Sequence, residues 1–213
     1  MKPSPIAVQI NKRAAEWSWL AKPALYIIGA MPGVWTFYLG IVDQLGADPM
    51  RTLEKTLGIW ALRFLIASLC VTPLRDLAGV NLIRYRRALG LLAFFYALAH
   101  LTTYLVLDQG LYLSAIWADI LKRPYITIGM IAFLVLVPLA ITSNNAMVRR
   151  LGASAWRRLH QLVYAAAALA AAHFVLVVKA WPIEPLVYAA IIAVLLLYRL
   201  YKHLRSGRSY AAA

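Results

Sequence analysis

Hydrophobic positions along the chain gather into six long blocks, and the polar residues fall mostly in the connectors between them. The blocks are residues 23–42, 57–72, 88–107, 124–142, 159–178 and 183–201. An α-helix needs roughly 20 apolar residues to cross the hydrocarbon layer of a membrane. The first block is uncharged, and the second is interrupted only by Arg63. The sixth is short and begins Ile183-Glu184-Pro185. It reaches spanning length by extending through Tyr201, with Lys202 snorkelling to the interface. The pattern predicts an all-α integral membrane protein: a six-transmembrane helix bundle forming one domain over residues 1–213. Six crossings place both termini on the same side. Pro32, in the segment "MPGVW" (31–35), and Pro138 fall within spans one and four. Bundles tolerate such prolines without a functional reason.

Charge then sets the orientation. Sixteen of the 22 basic residues fall on one side of this topology. They are Lys2, Lys12, Arg13, Lys22, Arg75, Arg84, Arg86, Arg87, Arg149, Arg150, Arg157, Arg158, Arg199, Lys202, Arg205 and Arg208. The other side holds five, namely Arg51, Lys55, Lys122, Arg123 and Lys179, and Arg63 lies inside a span. Cytoplasmic connectors are the ones enriched in Lys and Arg, so both termini are expected in the cytoplasm. The net charge of +14 is thereby a topology signal, and nucleic acid is not expected as a partner.

Composition agrees. Charged residues make up 14% of the 213, against about 25% in soluble domains, and the mean hydropathy is +0.71. The one cysteine, Cys70, forms no internal disulfide, and without a C-x-x-C-H motif covalent haem attachment is excluded. The first 20 residues lack the long apolar core of a signal peptide. No glycine-rich phosphate loop is present, so the chain is expected to lack a nicotinamide or ATP domain of its own.

The candidate chemistry lies in the histidines. Ionisable residues inside a span are costly and point to function. His100 lies in the outer half of span three. His173, 14 residues beyond the start of span five, lies in the outer half as well. Two imidazoles at matching depth on different helices can clamp one haem iron from both faces. In the alternative reading each bonds a carbonyl or hydroxyl of a neighbouring helix. His160 precedes His173 by 13 residues, roughly 20 Å along the axis and about 140° around an ideal helix. It is either part of a second redox site or a local hydrogen-bonding group. The equivalent position of span three, 13 residues before His100, is Arg87. His203 reads as a solvated tail residue. Arg63, at a depth close to His100 and His173, either pairs with a haem propionate or snorkels outward. Arg86, Arg87, Arg157 and Arg158 set topology, and can also hold propionates or a flavin phosphate. Tyr112, Trp117 and Trp181 suit an interfacial aromatic belt. The outer segment 108–123 is the candidate surface for a soluble partner. A transporter would show acidic groups inside the spans or internal repeats, and neither is evident. A plain anchor would leave three intramembrane histidines unexplained.

Four segments together carry a resemblance: "LGADPMRTLEKTLGIWALRFLIASLCVTPLR" (45–75), "RRALGLLAFFYALAHLTTY" (86–104), "RPYITIG" (123–129) and "TSNNAMVRRLGASAWRRLHQLVY" (142–164). The chain resembles the haem-binding membrane subunits of bacterial protein-methionine-sulfoxide reductase systems, in the ferric reductase-like transmembrane group. The match covers nearly the whole chain. It implies a b-type cytochrome of the bacterial inner membrane with one haem b or two, whose haem-linked histidines are His100, His160 and His173. FMN is also associated with the family. Such subunits pass electrons from the quinone pool or a cytoplasmic flavin reductase to a periplasmic molybdopterin methionine sulfoxide reductase. That partner repairs oxidised proteins, so the subunit itself is not catalytic on methionine sulfoxide. The alternative within the redox class is a ferric or quinone reductase with no dedicated protein partner. Some relatives carry histidine where this chain has Lys55. Unlike ferric reductases with their own FAD and nicotinamide domains, the chain is expected to carry neither, so the donor is expected to be a separate molecule.

Overall fold

The computed structural model describes residue 8, residues 18–178 and residues 182–211, with side chains placed for 8, 20–178 and 182–205. Lys2, Lys12, Arg13, Lys179, Trp181 and the side chain of Arg208 lie outside the described residues. Every regular element among those described is helical. In chain order they are α1 (Ser18–Ile41), α2 (Pro49–Ala78), α3 (Arg86–Thr103), α4 (Leu113–Lys122), α5 (Pro124–Ile141), α6 (Asn145–Leu151), α7 (Ala153–His160), α8 (Leu162–Val177) and α9 (Ile183–Ala211). A 3-10 turn at Ile83–Tyr85 leads into α3, and a π-helical turn at Tyr104–Asp108 ends it. Six stretches are long and apolar enough to cross a membrane: α1, α2, α3 with its flanking turns, α5, α7 joined to α8, and α9.

Helix α2 runs beyond the apolar block 57–72 at both ends because its caps lie further out. The Asp48 carboxylate accepts from Arg51 N–H at 3.1 Å and Pro49 opens the first turn. At the far end Gly79 takes φ of 70°, and the N–H groups of Gly79 and Val80 close on Arg75 O and Leu74 O. That left-handed stop is one glycine adopts without strain. Glu54, Lys55 and Asp76 therefore belong to the end turns of a span.

Helix α2 packs along α3, α5 packs along α8, α9 lies on α8, and α1 crosses α2 and α3. The shared core joins Leu62, Leu65 and Leu69 of α2 to Ala93, Leu136, Leu139, Ala166, Ala167 and Ile192. Lipid is as apolar as leucine, so small residues and close packing hold such helices together. The alanine-rich run of α8 supplies them: Ala166 and Ala167 are fully buried. Large apolar residues such as Ile27, Val34, Ile141 and Val194 are exposed, as a lipid-facing surface requires.

Span one is fastened by a side chain inserted into its backbone. Tyr96 Oη accepts from Gly33 N–H at 2.7 Å and donates to Gly29 O at 2.8 Å. Those two groups are four residues apart and would otherwise pair with each other. Insertion of this kind opens a helix locally, and Pro32, which has no N–H, loosens the same turn.

One end of the bundle is basic. There Asp76 binds Lys202 and accepts from Arg75 at 3.0 Å and Tyr198 at 3.2 Å. Arg199 donates to Leu69 O at 3.2 Å and stands over Tyr164. At the opposite end Lys55 meets Glu184 at 3.1 Å, tying α2 to α9. With the two side chains 56% and 41% exposed, this pair is worth at most about 1 kcal/mol. Lys55→Ala is accordingly expected to lower the thermal midpoint in detergent by no more than about 3 °C. Across the same end lies α4, a helix within the outer segment 108–123, which hydropathy alone marks only as a connector. Its Asp119 accepts from Tyr104, Gln109 and Arg123, while Leu113, Trp117 and Leu121 face outward and are exposed.

Candidate functional site

The sequence expects His100 and His173 at one depth on different helices, and the fold brings their rings together. Their helices α3 and α8 each pack on another neighbour, α2 and α5 respectively, and the two imidazoles meet between these pairs. The ring centres are 6.2 Å apart and the ring planes are inclined at 75°. His100 Nδ1–H donates to Glu54 O at 2.9 Å, and His173 Nδ1–H donates to Tyr125 O at 2.7 Å. A carbonyl oxygen only accepts, so each ring carries its proton on Nδ1 and its lone pair on Nε2. The two readings of these histidines thus coexist. The bond to a neighbouring helix uses one nitrogen and leaves the other for a ligand.

This geometry can be compared with what a metal needs. Two metal–imidazole bonds of about 2 Å on opposite sides of one ion place the ring centres about 6 Å apart, the spacing found here. Among the described residues no group of three or more His, Cys, Asp or Glu side chains is gathered. A metal caged by protein alone needs three or four ligands. Two opposed imidazoles suit instead a metal whose remaining positions are filled by a planar macrocycle, and a haem fits these residues.

His160 lies apart, at the basic end. Its Nε2 is 3.0 Å from Thr142 Oγ1, and that hydroxyl donates to Pro138 O at 2.6 Å. Nε2–H of His160 is therefore the donor to Thr142. The His160 ring stacks on Trp156 at 3.8 Å, and Trp156 Nε1–H donates to Thr142 O at 2.8 Å. Arg87 stands 5.8 Å over the other partner of that stack, Trp156, and donates to Asn145 Oδ1 at 2.6 Å. The helix breaks directly after His160: Gln161 N–H reaches Arg158 O and Tyr164 N–H reaches Gln161 O. The ideal-helix angle between His160 and His173 does not apply across such a joint.

His160, Trp156, Arg87 and Asn145 line a cavity of about 850 Å³ open to the basic end. Lys22, Arg84, Arg86, Arg87 and Arg157 all contribute to it, and no carboxylate does. Arg84 Nε is buried there without a hydrogen-bond partner. Arg63 lies elsewhere. It donates through Nε to Tyr188 Oη at 2.7 Å and covers the Trp60 ring at 4.8 Å. Tyr188 in turn meets the ring of Phe174, the residue after His173, at 5.9 Å. Arg63 and His173 are thus linked through the rings of Tyr188 and Phe174.

Trp156, Thr142 and Tyr96 make contacts that hydropathy and charge do not single out. For Trp156 a signal existed: it precedes His160 by four residues, the spacing that places two side chains on one helix face. His160→Ala is expected to leave the His100–His173 geometry in place, since nothing in that pair touches His160. The loss would be confined to the basic end, where the α5–α7 connection loosens. Haem content per protein, compared with wild type, checks this.

Comparison with known proteins places the chain among relatives. A family model described as the ferric reductase like transmembrane component matches residues 57–171, more than half of the chain. The protein-methionine-sulfoxide reductase heme-binding subunit MsrQ of Brucella ovis is 62% identical over 189 residues, covering 88% of this chain and 84% of that protein. The subunits of the same name from Brucella canis and Brucella suis match to the same extent. The matched region holds all of α3 with His100, and α8 as far as residue 171, two residues short of His173. Identity of this extent, on a six-span bundle, means that the chain belongs to the ferric reductase-like transmembrane family, in its MsrQ branch.

Proposed function

We propose that the chain is a b-type cytochrome that carries electrons across the bacterial inner membrane to a periplasmic molybdenum-dependent methionine sulfoxide reductase. It takes no part in the chemistry of methionine sulfoxide itself. The observation that carries this reading is the opposed pair of imidazoles, His100 and His173, with both lone pairs on Nε2. Bound haem supplies the one-electron chemistry. The protein supplies the rest. His100 and His173 would hold the iron, Glu54 O and Tyr125 O hold the imidazoles, and the apolar bundle excludes water. The positive-inside rule puts the basic end and both termini in the cytoplasm. The cavity at that end suits an anionic cofactor: its cationic lining and the unpaired Arg84 Nε fit the phosphate of FMN. Electrons enter from the quinone pool or a cytoplasmic flavin reductase. They leave at the opposite end, where the segment 108–123 with α4 offers the contact surface. The His100–His173 pair accounts for one haem; a second would require His160 to exchange Thr142 for iron.

The test is a reduced-minus-oxidised spectrum of the purified protein, with pyridine haemochrome and FMN quantified per chain. One haem per chain is expected, and a haem-free protein from haem-replete cells overturns the reading. Electron delivery is read separately. The reduced protein should be reoxidised faster by the periplasmic reductase with methionine sulfoxide than by ferric chelate. The reverse order favours a ferric reductase without a protein partner.

A further inference from the structure

Helices α2 and α5 receive their histidines in the same way. Glu54, which accepts the His100 proton, precedes Gly58 by four residues. Tyr125, which accepts the His173 proton, precedes Gly129 by four. On a helix that spacing puts the glycine one turn along the same face as the accepting carbonyl. The imidazole therefore lies where the glycine's side chain would stand. A Cβ at Gly58 would meet His100 Nδ1 at 3.1 Å and Cε1 at 3.3 Å. One at Gly129 would meet His173 Nδ1 at 2.7 Å and Cε1 at 2.8 Å, against an ordinary contact of 3.4–4 Å. Neither glycine has a positive φ, so the backbone does not call for one. Glycine inside a helix is a weakening choice relative to alanine. Gly90 of α3 is different: a Cβ there meets only Ser68 Oγ, at 4.0 Å.

We propose that Gly58 and Gly129 are positioning residues. Their missing side chains form two matched notches that seat the His100 and His173 rings against α2 and α5. The notches hold each proton on Nδ1 and aim both Nε2 atoms between the helix pairs. What the Nε2 atoms ligate rests on the proposed function; the seating does not. A histidine that donates its second N–H to a carbonyl is a more basic ligand and is fixed in orientation. Stronger donation favours ferric iron, so loosening either bond raises the midpoint potential.

The test uses Gly58→Ala and Gly129→Ala in the full chain, with Gly90→Ala as the size-matched control. In haem-loaded protein, Gly129→Ala is expected to lose haem by about ten-fold or more, within the 10–100-fold range for outer-shell partners. Gly58→Ala, with the milder contact, is expected to retain haem at a more positive potential and with altered ferric EPR. Gly90→Ala should match wild type in all three. A second readout needs no haem: protein labelled with 15N-histidine reports the tautomer of each ring by NMR. His100 and His173 are expected as Nδ1–H tautomers, with Gly58→Ala moving only the first and Gly129→Ala only the second. If wild type takes up no haem, the cytochrome reading fails while these shifts still decide the seating. Should Gly129→Ala fail to fold, Gly58→Ala decides it. Tautomers, haem content and potential indistinguishable from those of Gly90→Ala overturn the inference.

Discussion

Replacing either His100 or His173 with alanine is expected to remove the b-type absorption of the purified protein almost completely. Partners one shell out from a metal typically change its retention by 10–100-fold, and loss of a direct ligand should reach about 100-fold or beyond. The two substitutions should be equivalent and non-additive. Each leaves a single imidazole at 6.2 Å from an empty place, so the double variant has little more to lose. The bundle itself should survive. Each ring contributes one hydrogen bond to a carbonyl, at 2.9 and 2.7 Å, and the core of leucines and alanines lies elsewhere. Haemochrome per chain and elution volume, measured together, separate lost binding from lost folding. Retention of more than about half the haem in both single variants would sink the clamp.

Tyr96→Phe is expected to be the most destabilising single-atom deletion in the bundle. The hydroxyl both accepts from Gly33 N–H and donates to Gly29 O, and its ring packs against Phe64 and Trp60. Without it, two buried backbone groups must either stay unpaired or close on each other, which moves span one relative to α3. Leaving a buried donor or acceptor unsatisfied costs about 1–3 kcal/mol. For a chain of this size that is a fall of roughly 3–10 °C in thermal midpoint. The single, half-buried Cys70 offers the readout, since its thiol becomes reactive as the helices separate. An unchanged midpoint would mean that span one draws nothing from this contact. Haem content should change little, because Tyr96 reaches α1 and not the gap between His100 and His173.

Much of the architecture is legible because the bilayer is a severe solvent. Backbone groups in hydrocarbon must be paired internally, so a block of about 20 apolar residues has few alternatives to a helix. All six blocks are helices in the structure. Their ends were harder to place. Helix α2 begins at Pro49 rather than near Leu57 because capping by Asp48 and the left-handed Gly79 act outside the apolar block. Helix α4 escaped because its apolar residues recur every fourth position in a short segment, and such a helix lies across a surface without spanning.

For the site, depth along a helix is a one-dimensional quantity that residue counting supplies. His100 and His173 were readable as a pair on that basis alone. Azimuth around the helix and the distance between helices are not, because both depend on which faces pack. Only the tertiary structure could decide that Arg63 turns to Tyr188, that His160 stacks on Trp156 and binds Thr142, and that Arg87 reaches Asn145. Apart from the stack on Trp156, those contacts join residues 18 to 125 positions apart in the chain. Hydropathy, charge and rise per residue are enough to give the membrane class, the number of crossings, the basic end and the matched depth of His100 and His173. The tertiary structure decided which nitrogen of each imidazole is free and which glycines make room for it. Hydrogen-bond direction and steric fit exist only between helices already packed.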